Sequence, residues 1–193
     1  MRVGVLALQG AVREHVLALD ALGVETRIVK TEASLDGLDG LVLPGGESTA
    51  MTLLAEGGLL DALRCLSHAG FPMFGTCAGM ILLADQVEGR AGPIVGGIDI
   101  SVARNASGRQ VHSFETQLDV REIGSEVPAV FIRAPYITRV GPKVDVLARC
   151  DDVAVMARQG KILVASFHPE LTGDARVHRY FVNMMDGHSG KGA

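Results

Sequence analysis

The feature that most constrains the fold is an alternation of two apolar patterns in the first half of the 193-residue chain. Short runs rich in valine and leucine end at glycine, which predicts buried strands. The residues that follow place apolar side chains at helical spacing, as with Val12, Val16 and Leu19. Strands are predicted at residues 3–8, 24–30, 40–43, 71–75 and 161–167, and helices at 12–22, 48–55, 59–68, from 78 onward, and 174–185. The pattern predicts an α/β fold with three layers, in which helices flank a mostly parallel central sheet.

The middle of the chain has a different pattern. Between residues 98 and 159, short runs rich in valine and isoleucine are separated by glycine, proline and asparagine. We expect additional strands at residues 114–120, 129–133 and 144–149, some of them antiparallel, inserted into the main sheet or flanking it. The length fits a single domain over residues 1–193, with a small, polar and frayed tail at 187–193.

Composition and charge exclude several function classes. The chain is 48% hydrophobic with a net charge of −4 and a pI near 5.8, which argues against nucleic-acid binding. It contains neither an 18-residue apolar run nor a signal-peptide pattern, so we expect no membrane association and a cytoplasmic location. Its three cysteines, Cys65, Cys77 and Cys150, are too far apart for a disulfide framework or a metal site.

Cys77 stands where a catalytic nucleophile is expected. It follows the strand at 71–75 and lies between Gly75 and Gly79, and a sharp strand-to-helix turn requires small residues two positions to either side. The N-terminus of the next helix would favour the thiolate. The Ala78 amide could donate a hydrogen bond to a developing oxyanion. A small buried cysteine between structural glycines is the alternative interpretation.

A histidine and a carboxylate follow the strand at 161–167. His168 and Glu170 are two residues apart, so in an extended segment they project to the same side, and Pro169 keeps His168 out of the helical region. Glu170 would orient the imidazole, leaving its other nitrogen for Cys77. The carboxyl ends of parallel strands share one edge of the sheet, which predicts a Cys-His-Glu triad for acyl transfer. A strand-end histidine beside a surface glutamate is the alternative.

Two adjacent glycines, Gly45 and Gly46, follow the strand at 40–43. They allow backbone amides to turn inward, so this loop could supply a second oxyanion donor. The spacing and the lysine of a phosphate-binding loop are absent. A simple strand-to-helix turn with Ser48 as N-cap remains open.

Together these three segments resemble the class I, triad-type glutamine amidotransferases. Further segments, in order over about residues 3–182, resemble the family of glutaminase subunits of pyridoxal 5′-phosphate synthase. They are Leu8-Gln9-Gly10-Ala11-Val12-Arg13-Glu14-His15, Arg104-Asn105, Gly108-Arg109-Gln110, Ser113-Phe114-Glu115 and Phe131-Ile132-Arg133-Ala134-Pro135.

The resemblance implies roles for individual residues. Cys77 would be the nucleophile, His168 the base and acid, and Glu170 its orienting partner. Oxyanion donors would be Gly46 and Ala78, and glutamine contacts would come from Gly45, Gly46, Glu47, Arg104, Ile132 and Arg133. A guanidinium such as that of Arg104 or Arg133 can hold the α-carboxylate of glutamine through two hydrogen bonds.

The implied reaction is hydrolysis of L-glutamine to L-glutamate and ammonia through a γ-glutamyl thioester, without metal or bound cofactor. Ammonia would pass to a separate synthase (lyase) subunit in a hetero-oligomer, and this subunit would also activate the glutaminase. The sequence departs from the family at Ser107, usually aromatic, and at His112, usually acidic. Both departures concern loop packing and partner contacts and leave the triad intact.

Three other functions fit the same residues. The same chemistry could feed another acceptor, as in the glutaminase half of imidazole glycerol phosphate synthase. A cysteine peptidase on a related α/β fold could use the same groups. A regulatory binding subunit without turnover is the non-enzymatic alternative, although the intact triad argues against it.

Overall fold

The structure is a computed structural model that describes residues 1–46, 58–104 and 113–186 of the chain. The predicted helix at 48–55 with its cap Ser48, the departures Ser107 and His112, and the tail at 187–193 lie outside the described residues. In chain order the elements are β1 (Arg2–Leu6), α1 (Val12–Asp20), β2 (Glu25–Val29), β3 (Gly40–Leu43), α2 (Leu59–His68), β4 (Met73–Thr76), α3 (Ala78–Leu83), β5 (Ala84–Val87), β6 (Ile98–Ala103), β7 (Phe114–Val120), β8 (Gly124–Phe131), β9 (Tyr136–Val140), β10 (Asp145–Cys150), β11 (Val153–Gln159), β12 (Ile162–Ala165) and α4 (Arg176–Met185). Short 3-10 helices span Glu32–Leu35 and Pro169–Leu171.

A seven-stranded sheet forms the centre of the described structure, in the order β10-β11-β12-β4-β3-β1-β2. The five strands from β12 to β2 pair in parallel, whereas β10 and β11 extend the sheet in antiparallel pairing. Both faces of the central strands are covered, so β3, β4 and β12 are buried at every position. The predicted α/β fold, with a mostly parallel sheet and additional antiparallel strands, is confirmed.

Alternate residues of the central strands belong to two separate cores. In β3, Leu41 and Leu43 pack in one core with side chains from α2 and α3. Val42 faces the opposite core, which contains side chains from α1 and α4. The apolar face predicted for the last helix is part of this second core, with Val177 and Phe181 fully or almost fully buried. The sheet is therefore the middle of three layers.

The remaining strands form two smaller sheets beside the main one. β5, β6 and β9 form a three-stranded sheet, and β7 pairs with β8 as an antiparallel hairpin. The strand predicted at 129–133 was placed too far along the chain, because β8 begins at Gly124 and ends at Phe131. Ile132 and Arg133 therefore belong to the turn after β8, where Arg133 has a positive φ of 44°.

Three chain segments leave the main sheet at neighbouring carboxyl ends. β3 leads into Pro44-Gly45-Gly46, β4 into Cys77, and β12 into Ser166-Phe167-His168. β4 pairs with both β3 and β12, so these segments lie side by side, as a ligand site of this fold class requires. Within the described ranges, no helix is both long and apolar enough to cross a membrane.

Candidate active site

Cys77 occupies a strained turn between β4 and α3. Its backbone has φ 50° and ψ −107°, a conformation that typically costs on the order of 1–3 kcal/mol in a residue other than glycine. Its N–H donates to the carbonyl of Ala165 in β12 at 2.8 Å, which ties the turn to the neighbouring strand. The side chain is largely buried, with 8% of the residue exposed. Strain held at a reactive side chain is typical of functional turns.

The glycines on either side of this turn are required by close contacts. A Cβ on Gly79 would lie 1.9 Å from the carbonyl oxygen of Leu43, and one on Gly75 would lie 2.5 Å from the backbone of Gly79. The turn thus packs backbone against backbone, and any larger residue would displace it. This is the physical reason for the spacing of small residues around Cys77.

His168 is held between the β7–β8 hairpin and Glu170. Its backbone N–H donates to the carbonyl of Val130 at 2.8 Å. Its Nδ1–H donates to Oε1 of Glu170 at 2.7 Å, and both residues are only 7% exposed. The imidazole and Cys77 line the same cavity, and the interaction between them helps to raise the pKa of His168. The structure therefore brings all three predicted triad residues together.

The local backbone around Glu170 differs from the prediction. An extended segment was expected, but Pro169–Leu171 forms a 3-10 helix with His168 as its N-cap residue. Proline disfavours helical backbone only in the residue before it and is itself well suited to the first helical position. The turn, rather than strand alternation, carries the Glu170 carboxylate back to the imidazole.

The pKa values of the pair follow from these contacts. Burial favours the neutral imidazole, but the interactions with Cys77 and Glu170 outweigh it and raise the pKa of His168 to about 10. Burial likewise opposes ionisation of Glu170, but its contacts with His15 and His168 lower its pKa to about 2. At neutral pH the histidine is therefore an imidazolium paired with a carboxylate.

A cavity of about 530 Å³ opens beside Cys77 and His168. This volume is within the range of small-molecule sites, roughly 300–1,000 Å³. Its other lining residues are Gly10, Ala11, Gly45, Gly46, Ile132, Arg133 and Leu171. Of the predicted glutamine contacts, Gly45, Gly46, Ile132 and Arg133 thus lie at the cavity.

Of the two remaining predicted contacts, Arg104 and Glu47, the structure describes only Arg104. Arg104 directly follows β6 and is not among the lining residues. Glu47 lies outside the described residues. Ala78 directly follows Cys77 and opens α3, so its N–H is one of the first-turn amides that lack an acceptor inside the helix.

Several residues of the site region were not predicted. Gly10 and Ala11 line the cavity because their loop follows β1 at the same edge of the sheet. The glycine after the first predicted strand could have indicated that this loop contributes to the site. His15, Thr76 and His178 form a buried group on the far side of Glu170. Their side chains meet only in the folded chain, so no local pattern indicated them.

The fold and the cysteine turn at the carboxyl edge of the sheet are those of the glutamine amidotransferases. A model of the SNO glutamine amidotransferase family matches residues 5–187, and the chain belongs to this family.

Relatives and a solved structure extend over nearly the whole chain. The chain is 55% identical over 184 residues to pyridoxal 5′-phosphate synthase subunit PdxT of Carboxydothermus hydrogenoformans, covering 94% of this chain and 96% of that protein. It is 55% identical over 186 residues to the subunit of the same name from Geobacillus kaustophilus, covering 96% and 95%. A solved structure described as a crystal structure of glutamine amidotransferase superposes with a TM-score of 0.90 at 50% identity, covering 95% of this chain and 98% of that one.

Proposed function

We propose that this chain is the glutaminase subunit of a pyridoxal 5′-phosphate synthase, hydrolysing L-glutamine to L-glutamate and ammonia. The observation that carries the proposal is that Cys77 and His168 meet at one cavity at adjacent strand ends, with His168 hydrogen-bonded to Glu170. The names of relatives that share more than half of its residues over almost their full lengths support the choice of synthase.

Thioester formation is the first half of the reaction. The raised pKa of His168, at about 10, supports an imidazolium beside Cys77 at neutral pH, and the reaction begins when the Cys77 thiolate attacks glutamine. The sulfur forms a bond to the carboxamide carbon of glutamine and gives a tetrahedral oxyanion. His168 then transfers its proton to the amide nitrogen, the carbon–nitrogen bond breaks, and ammonia leaves a γ-glutamyl thioester on Cys77.

Thioester hydrolysis completes the cycle. His168, now neutral, takes a proton from a water molecule that attacks the thioester carbon. The carbon–sulfur bond breaks, L-glutamate is released, and the thiolate–imidazolium pair is restored. Glu170 keeps the same hydrogen bond to Nδ1 throughout, so it orients the ring and stabilises its charged form.

Oxyanion stabilisation is assigned to backbone amides. The Ala78 N–H stands at the start of α3 directly after Cys77, and Gly46 lines the cavity. Each well-placed donor of this kind contributes on the order of 10²–10³ in rate.

Glutamine recognition is assigned to the residues around the cavity mouth. Arg133 lines the cavity, and we assign its guanidinium to the α-carboxylate of free glutamine. Ile132 lines the same cavity. Gly45 and Gly46 would contact the substrate through their backbones. Glu47 and Arg104 complete the proposed set by resemblance to the family.

The proposal also covers the organisation of the protein. Residues 1–193 would form one glutaminase domain that works in the cytoplasm without metal or bound cofactor. Ammonia would pass directly to a synthase (lyase) subunit in a hetero-oligomer. The residues at 187–193 would be a flexible tail.

Ammonia release from glutamine, measured with and without the candidate synthase subunit, tests this proposal. We expect glutamine-dependent ammonia release that increases when the synthase is present, and pyridoxal 5′-phosphate formation from pentose and triose phosphates in the complex. A chain that binds and feeds imidazole glycerol phosphate synthase instead would overturn the assignment of the acceptor. Hydrolysis of peptides without hydrolysis of glutamine would overturn the reaction class.

A further inference from the structure

A fully buried histidine lies directly behind the triad carboxylate. His15 is 0% exposed and projects from α1 toward the carboxyl end of β4. Its Nε2 lies 3.1 Å from the hydroxyl of Thr76 and 3.4 Å from Oε1 of Glu170. One nitrogen of His15 thus contacts both the residue before Cys77 and the carboxylate that holds His168.

The contacts of the Glu170 carboxylate show that its position depends on His15. Oε1 receives the Nδ1–H of His168 at 2.7 Å on one side and faces Nε2 of His15 on the other. The second oxygen, Oε2, is buried and has no hydrogen-bond partner among the described residues. Without His15, the carboxylate would therefore be held only by the imidazole that it has to orient.

The proton on His15 can be assigned from its surroundings. Nε2 faces the ionised Glu170, so a lone pair there would be repelled and we place the proton on this nitrogen. At 3.4 Å its interaction with Oε1 is mainly electrostatic, since a strong N–H···O bond is shorter. On the other side of the ring, Nδ1 lies 2.9 Å from Nε2 of His178.

His178 fits this arrangement as a neutral donor. Burial is the largest cause that lowers the pKa of His178, to about 3. We assign its Nε2–H as the donor to Nδ1 of His15, which leaves Nδ1 of His178 as a bare acceptor. That atom has no hydrogen-bond partner among the described residues, and a buried acceptor without a partner is less unusual than a buried N–H without one. His178 thereby holds the ring of His15 in one orientation.

We propose that His15 is a positioning residue of the glutaminase reaction. It holds the side chains of Glu170 and Thr76 in place, so that His168 stays aligned with Cys77. The inference rests on the proposed function for its kinetic consequence, but the geometry it describes exists without turnover. Among the described residues that line the cavity His15 is not present, so its effect acts through Glu170 and Thr76.

Two amide substitutions separate this role from packing. In His15→Gln the side-chain amide nitrogen can reach the place of Nε2 and face Glu170. In His15→Asn the shorter amide reaches only the place of Nδ1, so it keeps the contact with His178 and loses the one with Glu170. Ser67→Ala is the control. It removes a different buried hydrogen bond from a helix, the one that the Ser67 hydroxyl donates to the carbonyl of Gly96. Ser67 lies in α2, on the opposite face of the sheet from α1.

Kinetics are measured in the complex with the synthase subunit. We expect His15→Asn to lower kcat roughly 10- to 100-fold, the effect of a small misplacement at the reacting groups, with little change in KM for glutamine. His15→Gln should recover most of kcat, and Ser67→Ala should leave it unchanged while lowering the unfolding temperature. Equal kcat values for the two His15 variants, or an equal loss in Ser67→Ala, would overturn the proposal.

A second readout does not depend on activity. The His168 Nδ1–H bonded to Glu170 should give a far-downfield proton NMR resonance in the isolated chain. It should be absent or shifted in His15→Asn and retained in His15→Gln. If His15→Asn does not fold, a folded His15→Gln that lacks the resonance overturns the proposal. A wild-type complex that releases no ammonia but shows these NMR changes would remove the proposed function and leave the positioning role.

Discussion

Gly45→Ala would insert a methyl group between the glycine loop and the catalytic histidine. A Cβ at this position would lie 2.5 Å from Cε1 of His168 and 3.2 Å from both its Nδ1 and the Cβ of Cys77. Non-bonded carbon atoms pack at about 3.5 Å or more, so the imidazole must retreat by roughly 1 Å. Because its Nδ1 is held by Glu170 at 2.7 Å, that movement breaks alignment with either Glu170 or Cys77.

The size of the effect follows from this displacement. A misplacement of about 1 Å among reacting groups can lower the rate roughly 100-fold, which corresponds to about 2.7 kcal/mol of activation free energy. We expect kcat for ammonia release, measured with synthase present and saturating glutamine, to fall by this factor. Alkylation of Cys77 by a glutamine-analogue electrophile should slow in parallel, because the thiolate loses its imidazolium partner.

Gly4→Ala is a matched control on the same sheet. A Cβ at Gly4 would lie 2.6 Å from Cδ1 of the Leu38 side chain. This contact is about as close as the one at Gly45, but Leu38 is not a residue of the cavity. Overpacking of this kind typically costs about 1–3 kcal/mol of stability, so the unfolding temperature should fall while kcat is maintained. A Gly45→Ala variant that keeps kcat within about threefold of wild type, against the 100-fold loss expected from such a displacement, would refute the reasoning.

Three other outcomes follow from the site. Glu170→Gln should weaken ammonia release less than His168→Ala, because orientation is lost while the base remains; the reverse order of kcat values would show that the two roles are misassigned. The folded-state pKa of Glu170, about 2, lies below its ordinary value of 4.5, so its contribution to stability is present above pH 4.5 and is lost as the pH falls toward 2. Urea unfolding at a series of pH values should show this loss in wild type and a smaller one in Glu170→Gln, and equal slopes would contradict the ion pair. Arg133→Ala should raise KM for glutamine roughly tenfold, or more, with a smaller effect on kcat, as expected for loss of a charged hydrogen bond to the α-carboxylate. A variant with unchanged KM would exclude Arg133 from binding.

The main sheet could be predicted because its strands carry their own signals. Three of its five parallel strands, β1, β3 and β4, are followed by glycine within four residues, and the apolar runs of all five are too short for helices. The bounds of β3 and α2 agree with the predicted ranges because Pro44 and Gly58 stand close beside them. β5 was not predicted, since Ala84–Val87 has only four residues and directly follows α3 without a turn signal.

The candidate site was predictable only in part, for a physical reason. Cys77 and His168 each sit at the end of a strand, and parallel pairing brings such ends together. The contact between His15 and His178 joins residues 163 positions apart, and it depends on how α1 and α4 pack in the same core. Such contacts leave no periodic pattern in the sequence.

The placement of Ile132 and Arg133 illustrates the same limit. Their position at the cavity depends on where β8 ends, and the apolar run alone placed that strand end two residues too late. The resemblance to known glutaminases, rather than the residue pattern, was what indicated both residues.

The central claim is that Cys77 carries the γ-glutamyl group. Intact-protein and peptide mass spectrometry of the synthase complex, after treatment with a glutamine-analogue electrophile, tests it most directly. The account predicts one adduct per chain, located on Cys77, with loss of ammonia release in proportion to labelling, and no adduct in Cys77→Ala. Labelling of Cys65 or Cys150 in its place, or glutaminase activity that survives in Cys77→Ala with synthase present, would contradict it.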